Sequence, residues 1–253
     1  MLMSAVIGHR GARGSAPENT LRAINRAAEL GVSWIELDVM LTRDQVPILF
    51  HDALLNKLSN GRGEVAKLDF NSLGRIRVLA PHGSVSESHP LTTLDAALQR
   101  IQDLGLGLNL EIKPTSPEVG PATLQFALKE LAAFPGLPLV ISSFNYSVLL
   151  EAKRLLPEVP RACLWEDLPR RWQRQAAEVG ARSVHLSHQG LKARQVAEIR
   201  SEGREVYIYT VNSRRRAKQL FEWGVNGIFT DYPERFEGLK QPVLRTQPFG
   251  DPV

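Results

Sequence analysis

The chain has 253 residues, of which 43% are hydrophobic and 23% are charged, and its formal net charge at pH 7 is +4. This composition is typical of an ordinary globular protein, and the basic residues form no aromatic-interleaved stripe of the kind that nucleic-acid-binding proteins use. Cys163 is the only cysteine, which excludes an internal disulfide framework and a thiolate metal site.

The sequence also indicates where the protein works. No run approaches the roughly 20 apolar residues that a membrane helix needs. The first residues, 1–4, carry no basic segment and too short an apolar run for a secretion signal. We therefore expect a cytoplasmic protein without a membrane span and without a nucleic-acid partner; the sequence does not indicate its oligomeric state.

Short apolar runs alternate with amphipathic helical stretches along almost the whole chain, which predicts parallel strand pairing. The predicted strands are residues 5–9, 34–39, 46–51, 107–112, 139–142, 161–164, 183–186, 206–209 and 227–229. The second and third predicted strands are joined by the short turn TRDQ and count as one unit, so the nine strands make eight strand–helix units. Eight units in this length favour a TIM (β/α)8 barrel, with an open doubly wound sheet as the alternative.

Two regions interrupt the alternation. Residues 53–90 form an insertion after the strand that ends at His51, and a long loop on the catalytic face of a barrel is usually functional. Residues 241–253 are rich in proline and are predicted to be a loose C-terminal tail. We expect residues 1–240, including the insertion, to form one domain.

The first strand delivers charged side chains to its carboxyl end. The stretch IGHRGARGSAPENT, residues 7–20, places His9 and Arg10 at that end. In a barrel this is the face on which catalysis takes place. His51 follows the third predicted strand, so two histidines are expected on one rim.

Carboxylates follow the neighbouring strands at the same rim. Glu36 and Asp38 are two residues apart and therefore project from one face of their strand, as do Glu111 and Lys113. A buried pair of carboxylates is unfavourable unless a cation joins them. Three oxygen ligands predict one divalent cation, Mg²⁺ or Ca²⁺, and Mn²⁺ could substitute for it. Oxygen ligands favour zinc less, but the nearby histidines do not allow zinc to be excluded.

The cation-binding residues are accompanied by positive side chains. Arg10 and Lys113 flank the predicted metal site, and this combination suits a phosphate group. His9 and His51 would supply an acid and a base. Two later histidines, His185 and His188, are predicted to form hydrogen bonds rather than to catalyse.

These motifs resemble those of the glycerophosphodiester phosphodiesterases. The motifs that carry the resemblance are HRG at 9–11, PENT at 17–20, ELD at 36–38, HD at 51–52, EIKP at 111–114, SSF at 142–144, YTVN at 209–212 and WGVNGIFTDYP at 223–233. They occur in the family's order from about Val6 to Pro233, and the chain is most similar to the short bacterial cytosolic members.

The resemblance implies a TIM barrel that hydrolyses glycerophosphodiesters, such as glycerophosphocholine and glycerophosphoethanolamine, to sn-glycerol 3-phosphate and an alcohol. It also implies a role for each matching residue. His9 and His51 would be the catalytic pair, and Glu36, Asp38 and Glu111 the metal ligands. The residues expected to hold or shape the substrate site are Arg10, Lys113, Glu18, Asn19 and Tyr209.

The chain departs from the family in the insertion. Similar proteins usually carry a DAGSWF-like stretch there, whereas residues 77–90 read RVLAPHGSVSESHP and contain no aromatic residue. An aromatic contact over the substrate is therefore missing or supplied elsewhere, which leaves the preferred alcohol open.

The sequence suggests a route that begins with the glycerol 2-hydroxyl. One histidine removes the proton of this hydroxyl and the other protonates the departing alcohol. A cyclic glycerol phosphate forms, and water then opens it; direct attack by water is the competing route.

Two other functions stay open. A lysophospholipase D would need an apolar rim, for which the insertion offers Leu54, Leu55 and Leu79, and a non-catalytic phosphodiester-binding protein is less favoured because no catalytic residue is lost.

Overall fold

The computed structural model describes residues 2–83 and 86–239. Within them, twelve strands are found: β1 (Val6–His9), β2 (Trp34–Leu41), β3 (Pro47–Leu49), β4 (Arg77–Val78), β5 (His89–Pro90), β6 (Thr92–Thr93), β7 (Gly107–Ile112), β8 (Leu139–Ser143), β9 (Arg161–Trp165), β10 (Ser183–Ser187), β11 (Glu205–Tyr209) and β12 (Gly227–Thr230). Eight of these strands, β1, β2 and β7 to β12, are parallel and pair in sequence.

Pairing between the first and last of these strands closes the barrel. Val6 of β1 lies beside Ile228 of β12, while His9 lies beside Glu36 of β2 on the other side. The TIM barrel prediction is therefore confirmed, and the open-sheet alternative is wrong. An open sheet would leave β1 or β12 with an unpaired edge.

An α-helix lies between each pair of consecutive barrel strands and packs outside them, whereas β12 is followed by the single helical turn Pro233–Phe236. The seven α-helices in the described part of the chain are α1 (Leu21–Glu29), α2 (Leu94–Leu104), α3 (Gly120–Leu131), α4 (Tyr146–Leu155), α5 (Trp172–Glu178), α6 (Ala193–Ser201) and α7 (Arg214–Glu222). Local chemistry sets their ends. The Thr20 side chain accepts from the Ala23 N–H at the start of α1, and Gly105 ends α2 with a φ of 64°.

Hydrophobic side chains fill the layer between the helices and the barrel, and a smaller cluster fills the barrel itself. The inner cluster includes Ile7, Leu164, Tyr207 and Phe229, all of which are buried. This packed floor leaves the carboxyl ends of the strands as the open end of the barrel.

The insertion is a compact lobe rather than an open loop. The strand before it is shorter than predicted: β3 ends at Leu49 and pairs antiparallel with the end of β2, so His51 lies beyond the strand. The lobe has its own core of buried side chains, among them Phe50, Leu55, Val65 and Val78. Its ordered backbone consists of single helical turns, Val65–Lys67 and Phe70–Leu73, and the short pair β4 and β5.

The predicted tail, residues 241–253, lies outside the described residues. Among the helices that are described, none is long and apolar enough to cross a bilayer.

Candidate active site

Strand register brings the predicted site residues together at the carboxyl end of the barrel. His9 of β1 lies beside Glu36 of β2, and Asp38 of β2 lies beside Glu111 of β7. Residues paired in this way on adjacent strands have neighbouring side chains. Glu36 and Asp38 lie on the same face of β2, and strand pairing places His9 and Glu111 beside them, so the four side chains form one cluster.

Three carboxylates form the centre of the site. One oxygen from each of Glu36, Asp38 and Glu111 lies within 4.8 Å of the others. These residues are only 4%, 1% and 7% exposed, and Glu36 Oε1 has no hydrogen-bond partner among the described residues. Buried oxygens in this arrangement fit a hard divalent cation, because the cation would satisfy the free oxygen and offset the mutual repulsion.

The pKa values of the carboxylates differ with their partners. Burial and the neighbouring Asp38 charge raise the pKa of Glu36 well above its usual range and that of Glu111 to about 7. Burial also opposes ionisation of Asp38, but the Arg10 guanidinium and the Lys113 ammonium hold its pKa below the ordinary value. Positive side chains thus stabilise the ionised form of Asp38, whereas the two glutamates need further positive charge nearby to ionise readily.

Arg10 connects several parts of the site. Its Nη1 donates to Glu18 Oε1 at 2.6 Å, and its Nε lies 3.2 Å from Asp38 Oδ2. Its backbone N–H donates to Glu36 Oε2 at 3.0 Å, from a residue whose φ of 50° lies in the left-handed region. Lys113 Nζ lies 3.2 Å from Glu111 Oε1 and 3.5 Å from Asp38 Oδ1.

The predicted residues Glu18 and Asn19 contact other site residues and do not line the cavity around the carboxylates. Glu18 accepts from Arg10 and also lies 3.0 Å from Arg13 Nε. Asn19 Nδ2 donates to Asp38 Oδ2 at 2.9 Å, and its Oδ1 accepts from the Asp38 N–H at 3.1 Å. Both residues therefore orient the charged groups that face the cavity.

His9 is held by a residue to which the sequence assigned no role. Its Nδ1 lies 2.6 Å from Asp231 Oδ1, just after β12. Asn212 Nδ2 in turn donates to Asp231 Oδ2 at 2.7 Å. Because a carboxylate only accepts, the His9 proton lies on Nδ1 and its Nε2, 3.9 Å from Glu36 Oε2, is free for chemistry.

His51 has a similar arrangement at the mouth of the site. Its Nδ1 lies 2.6 Å from Asp52 Oδ1, which leaves Nε2 free. Burial lowers the pKa of both His9 and His51, although carboxylates oppose the shift. At neutral pH both rings are therefore able to accept a proton.

The cavity that contains these groups has a volume of about 460 Å³. His9, Arg10, His51, Glu111 and Lys113 line it, together with Glu36, Phe144, Glu166, His185 and Tyr209. The Tyr209 hydroxyl donates to the Trp165 carbonyl at 2.9 Å, which holds its ring in the cavity wall.

His185 lies in the cavity floor, where it is 1% exposed. Its ring packs against Tyr207 and Phe229, with centroid distances of 5.4 and 5.0 Å. Its Nε2 lies 3.2 Å from Ser183 Oγ. These contacts agree with a hydrogen-bonding role for this histidine.

The residues that hold His9 and His51, namely Asp231, Asn212 and Asp52, were present in the motifs TDYP, YTVN and HD, but those motifs do not indicate which histidine each would contact.

Comparison with known proteins gives consistent matches. The model of the glycerophosphoryl diester phosphodiesterase family matches residues 9–235. A glycerophosphodiester phosphodiesterase of Caldanaerobacter subterraneus is 28% identical, with 94% of this chain and 98% of that protein covered. Another from Bacillus altitudinis is 29% identical, with coverage of 95% and 100%.

The fold also has a counterpart among solved structures. A phosphodiesterase from Oleispira antarctica, in complex with its product sn-glycerol 3-phosphate, aligns with a TM-score of 0.88 at 33% identity. The alignment covers 92% of this chain and 95% of that one.

Proposed function

This chain belongs to the glycerophosphoryl diester phosphodiesterase family and is a glycerophosphodiester phosphodiesterase, and from this we propose its substrates and its catalytic mechanism. Its substrates are diesters such as glycerophosphocholine and glycerophosphoethanolamine, and its products are sn-glycerol 3-phosphate and an alcohol. One observation carries the proposal: one cavity is lined by two buried glutamates, two histidines with free Nε2 atoms, and the cationic side chains Arg10 and Lys113, and the third buried carboxylate, Asp38, has an oxygen within 4.8 Å of those of the two glutamates.

Glu36, Asp38 and Glu111 would hold a divalent cation, Mg²⁺ or Ca²⁺. When bound, such a cation supplies positive charge to a phosphate oxygen and lowers the pKa of a hydroxyl beside it. Two features of the described residues suit a cation at this position: Glu36 Oε1 has no hydrogen-bond partner, and all three carboxylates are buried.

Arg10 and Lys113 would bind the remaining phosphate charge. Each is already fixed by carboxylates, Arg10 by Glu18 and Asp38, and Lys113 by Asp38 and Glu111. Their positions are therefore set before the substrate arrives, which reduces the reorganisation that binding requires. Because their charges are partly offset, they would hold the phosphate without retaining the product too tightly.

His9 and His51 would transfer the protons. The Nε2 of one histidine accepts the proton of the glycerol 2-hydroxyl, whose oxygen forms a bond to phosphorus as the bond to the alcohol oxygen breaks. The other histidine begins the step as an imidazolium, with protons on both ring nitrogens, and donates its Nε2 proton to that oxygen. In the second step the roles are exchanged: a water proton moves to the second histidine, the water oxygen bonds to phosphorus as the bond between phosphorus and the 2-oxygen breaks, and the 2-oxygen regains a proton from the first histidine.

Asp231 and Asp52 would assist by holding the histidines. Each carboxylate accepts from Nδ1, which fixes the tautomer and stabilises the imidazolium after proton transfer. Direct attack by water remains the competing route. A substrate that lacks the 2-hydroxyl separates the two, because only the cyclic route requires that group.

A second candidate activity is the cleavage of lysolipids, as in a lysophospholipase D. Phe144 is 47% exposed at the cavity and Leu54 is 50% exposed on the insertion, so apolar side chains are available near the rim. Leu55, which was expected to contribute, is instead buried in the core of the insertion. The small apolar rim favours water-soluble diesters over lipids.

The proposal is tested by measuring release of glycerol 3-phosphate from glycerophosphocholine with added Mg²⁺ or Ca²⁺. EDTA and His9→Ala should each abolish release, and His51→Ala should reduce it by at least about a hundredfold. His89→Ala, a histidine in the insertion outside the cavity, is the matched control and should retain full activity.

Lysophosphatidylcholine and glycerophosphoethanolamine are assayed in parallel. Cleavage of the lysolipid alone would replace the proposal by the lysophospholipase D activity. Full activity in EDTA-treated enzyme would overturn the metal requirement, and full activity in His9→Ala would overturn the role of that histidine.

A further inference from the structure

Part of the cavity wall takes no part in the chemistry proposed above. Phe144 follows β8, Glu166 follows β9 and Tyr209 ends β11, and all three line the cavity. We call these residues the aromatic–acid corner. None of them is a metal ligand, a proton-transfer group or a phosphate-binding group in the proposed mechanism.

The two rings of the corner are arranged for contact with a ligand. Their centroids are 6.1 Å apart and their planes meet at 77°. Phe144 is 47% exposed, and a large ring in this position at a cavity edge is available to bind an apolar or cationic group. The Tyr209 hydroxyl is already bonded to the Trp165 carbonyl, so Tyr209 offers the cavity its ring rather than its polar end.

The acid of the corner lacks a counter-charge. Glu166 is exposed, and across residues 2–83 and 86–239 its carboxylate forms no hydrogen bond or ion pair. The cations of the cavity, Arg10 and Lys113, are by contrast engaged by other carboxylates. Burial raises the pKa of the Tyr209 hydroxyl, and the negative charges of Glu111, Glu166 and Asp167 raise it further.

The corner lies next to the phosphate-binding end of the cavity. Lys113 Nζ is 5.9 Å from the centre of the Phe144 ring. A diester with its phosphate on Lys113 would thus reach the corner with a short substituent. In choline and ethanolamine esters only two carbon atoms separate the ester oxygen from the positive nitrogen.

We propose that Phe144, Tyr209 and Glu166 bind the positively charged group of the departing alcohol and give the enzyme a preference for cationic alcohols over neutral ones. This inference rests on the proposed function. A trimethylammonium group cannot donate hydrogen bonds, so aromatic rings and an unpaired carboxylate are the groups that recognise it. An ammonium group would in addition donate to Glu166.

The kinetic test compares glycerophosphocholine with glycerophosphoglycerol, whose alcohol is neutral. The measured quantity is the ratio of the two kcat/KM values. Glu166→Gln should lower this ratio about tenfold, and Phe144→Leu should lower it several-fold. Glu202→Gln is the matched control, since Glu202 is an exposed glutamate that precedes β11 and does not line the cavity; it should leave the ratio unchanged.

A binding measurement provides a readout independent of turnover. Choline and 3,3-dimethylbutan-1-ol, a neutral alcohol of the same shape, are titrated into the enzyme by calorimetry. Choline should bind more tightly to the unchanged protein, and Glu166→Gln should remove the difference. Circular dichroism of each variant checks that the fold is retained.

The outcomes distinguish this proposal from the preceding one. If the enzyme cleaves neither diester but still binds choline through Glu166, the proposed function fails and the corner stands. If Glu166→Gln lowers kcat/KM equally for both substrates, the residue binds the glycerol common to both, and the proposal is overturned. Equal binding of choline and its neutral analogue would also overturn it.

Discussion

At the scale of single residues, Asp231 determines the state of His9. Its carboxylate accepts from Nδ1 and raises the His9 pKa, against the larger lowering caused by burial. We expect Asp231→Asn to reduce kcat by at least about a hundredfold, because the amide can hold the wrong tautomer. Loss of the negative charge should also lower the His9 pKa.

The pH dependence of kcat/KM checks this expectation. The limb of the profile that reports His9 should move to lower pH in Asp231→Asn, whichever proton-transfer role His9 has. Asp103→Asn, an exposed site on α2, is the control for the same chemical change. An unchanged profile together with full activity would show that Asp231 does not act on His9.

The buried glutamates couple metal binding to protons. The pKa of Glu111 is about 7, so below that pH its carboxyl holds a proton that a cation must displace. We expect the affinity for Mn²⁺, used as a probe, to fall by at least about tenfold for each pH unit below 7, because the pKa of Glu36 is raised as well. Calorimetric titration between pH 5.5 and 8 measures it. A constant affinity over this range would contradict a site formed by these carboxylates.

Only part of the site is visible at the residue level in the sequence. Glu36 and Asp38 could be placed together because alternate residues of a strand share a face. The contact between His9 and Asp231 spans 222 positions and depends on barrel closure, which no local pattern encodes. The unpaired state of Glu166 was likewise not predictable, because it depends on what its neighbours contact.

At the scale of elements, the core of the insertion positions His51. Phe50 and Leu55 on either side of that histidine are buried in this core. We expect Leu55→Ala to destabilise the lobe by about 2–5 kcal/mol, through lost burial and the cavity left behind, and to lower kcat by displacing His51. Urea unfolding and steady-state kinetics measure the two effects.

The adjacent residue supplies a size-matched comparison. Leu54 is 50% exposed, so Leu54→Ala should change the free energy of unfolding by less than about 0.5 kcal/mol. Equal destabilisation by the two substitutions would mean that the lobe has no packed core of its own.

The elements differ in how well the sequence predicts them. The barrel strands could be located, and helical stretches recognised between them, because hydrophobic periodicity follows directly from one-sided burial. The insertion could only be recognised as an interruption. Its order comes from contacts among irregularly spaced residues such as Val65 and Val78, which have no period to detect.

At the scale of the whole molecule, the barrel interior holds a histidine that cannot readily ionise. Burial lowers the pKa of His185 to about 3. The unfolded chain takes up a proton on this residue below about pH 6.5, whereas the folded protein does so only near pH 3. His185 therefore contributes a loss of stability as the pH falls from 6.5 towards 3, with no contribution above that range.

Substitution isolates this contribution. In His185→Gln the fall in unfolding free energy between pH 6.5 and pH 5 should be smaller by about 2 kcal/mol than in the unchanged protein. Urea unfolding at the two pH values gives the difference for each protein. Because all other titrating groups are common to both, an identical fall would show that His185 is protonated in the native state.

The pairing of β1 with β12 has a consequence for the moment at which the protein becomes an enzyme. Synthesis proceeds from β1 onward, so the first strand lacks its second neighbour until the last strand has been made. Asp231 follows that last strand directly, and its bond to His9 forms only as the ring of strands is completed. In an unfinished chain His9 would therefore lack the carboxylate that orients its ring. The proposed proton-transfer arrangement at His9 thus arises only with completion of the barrel.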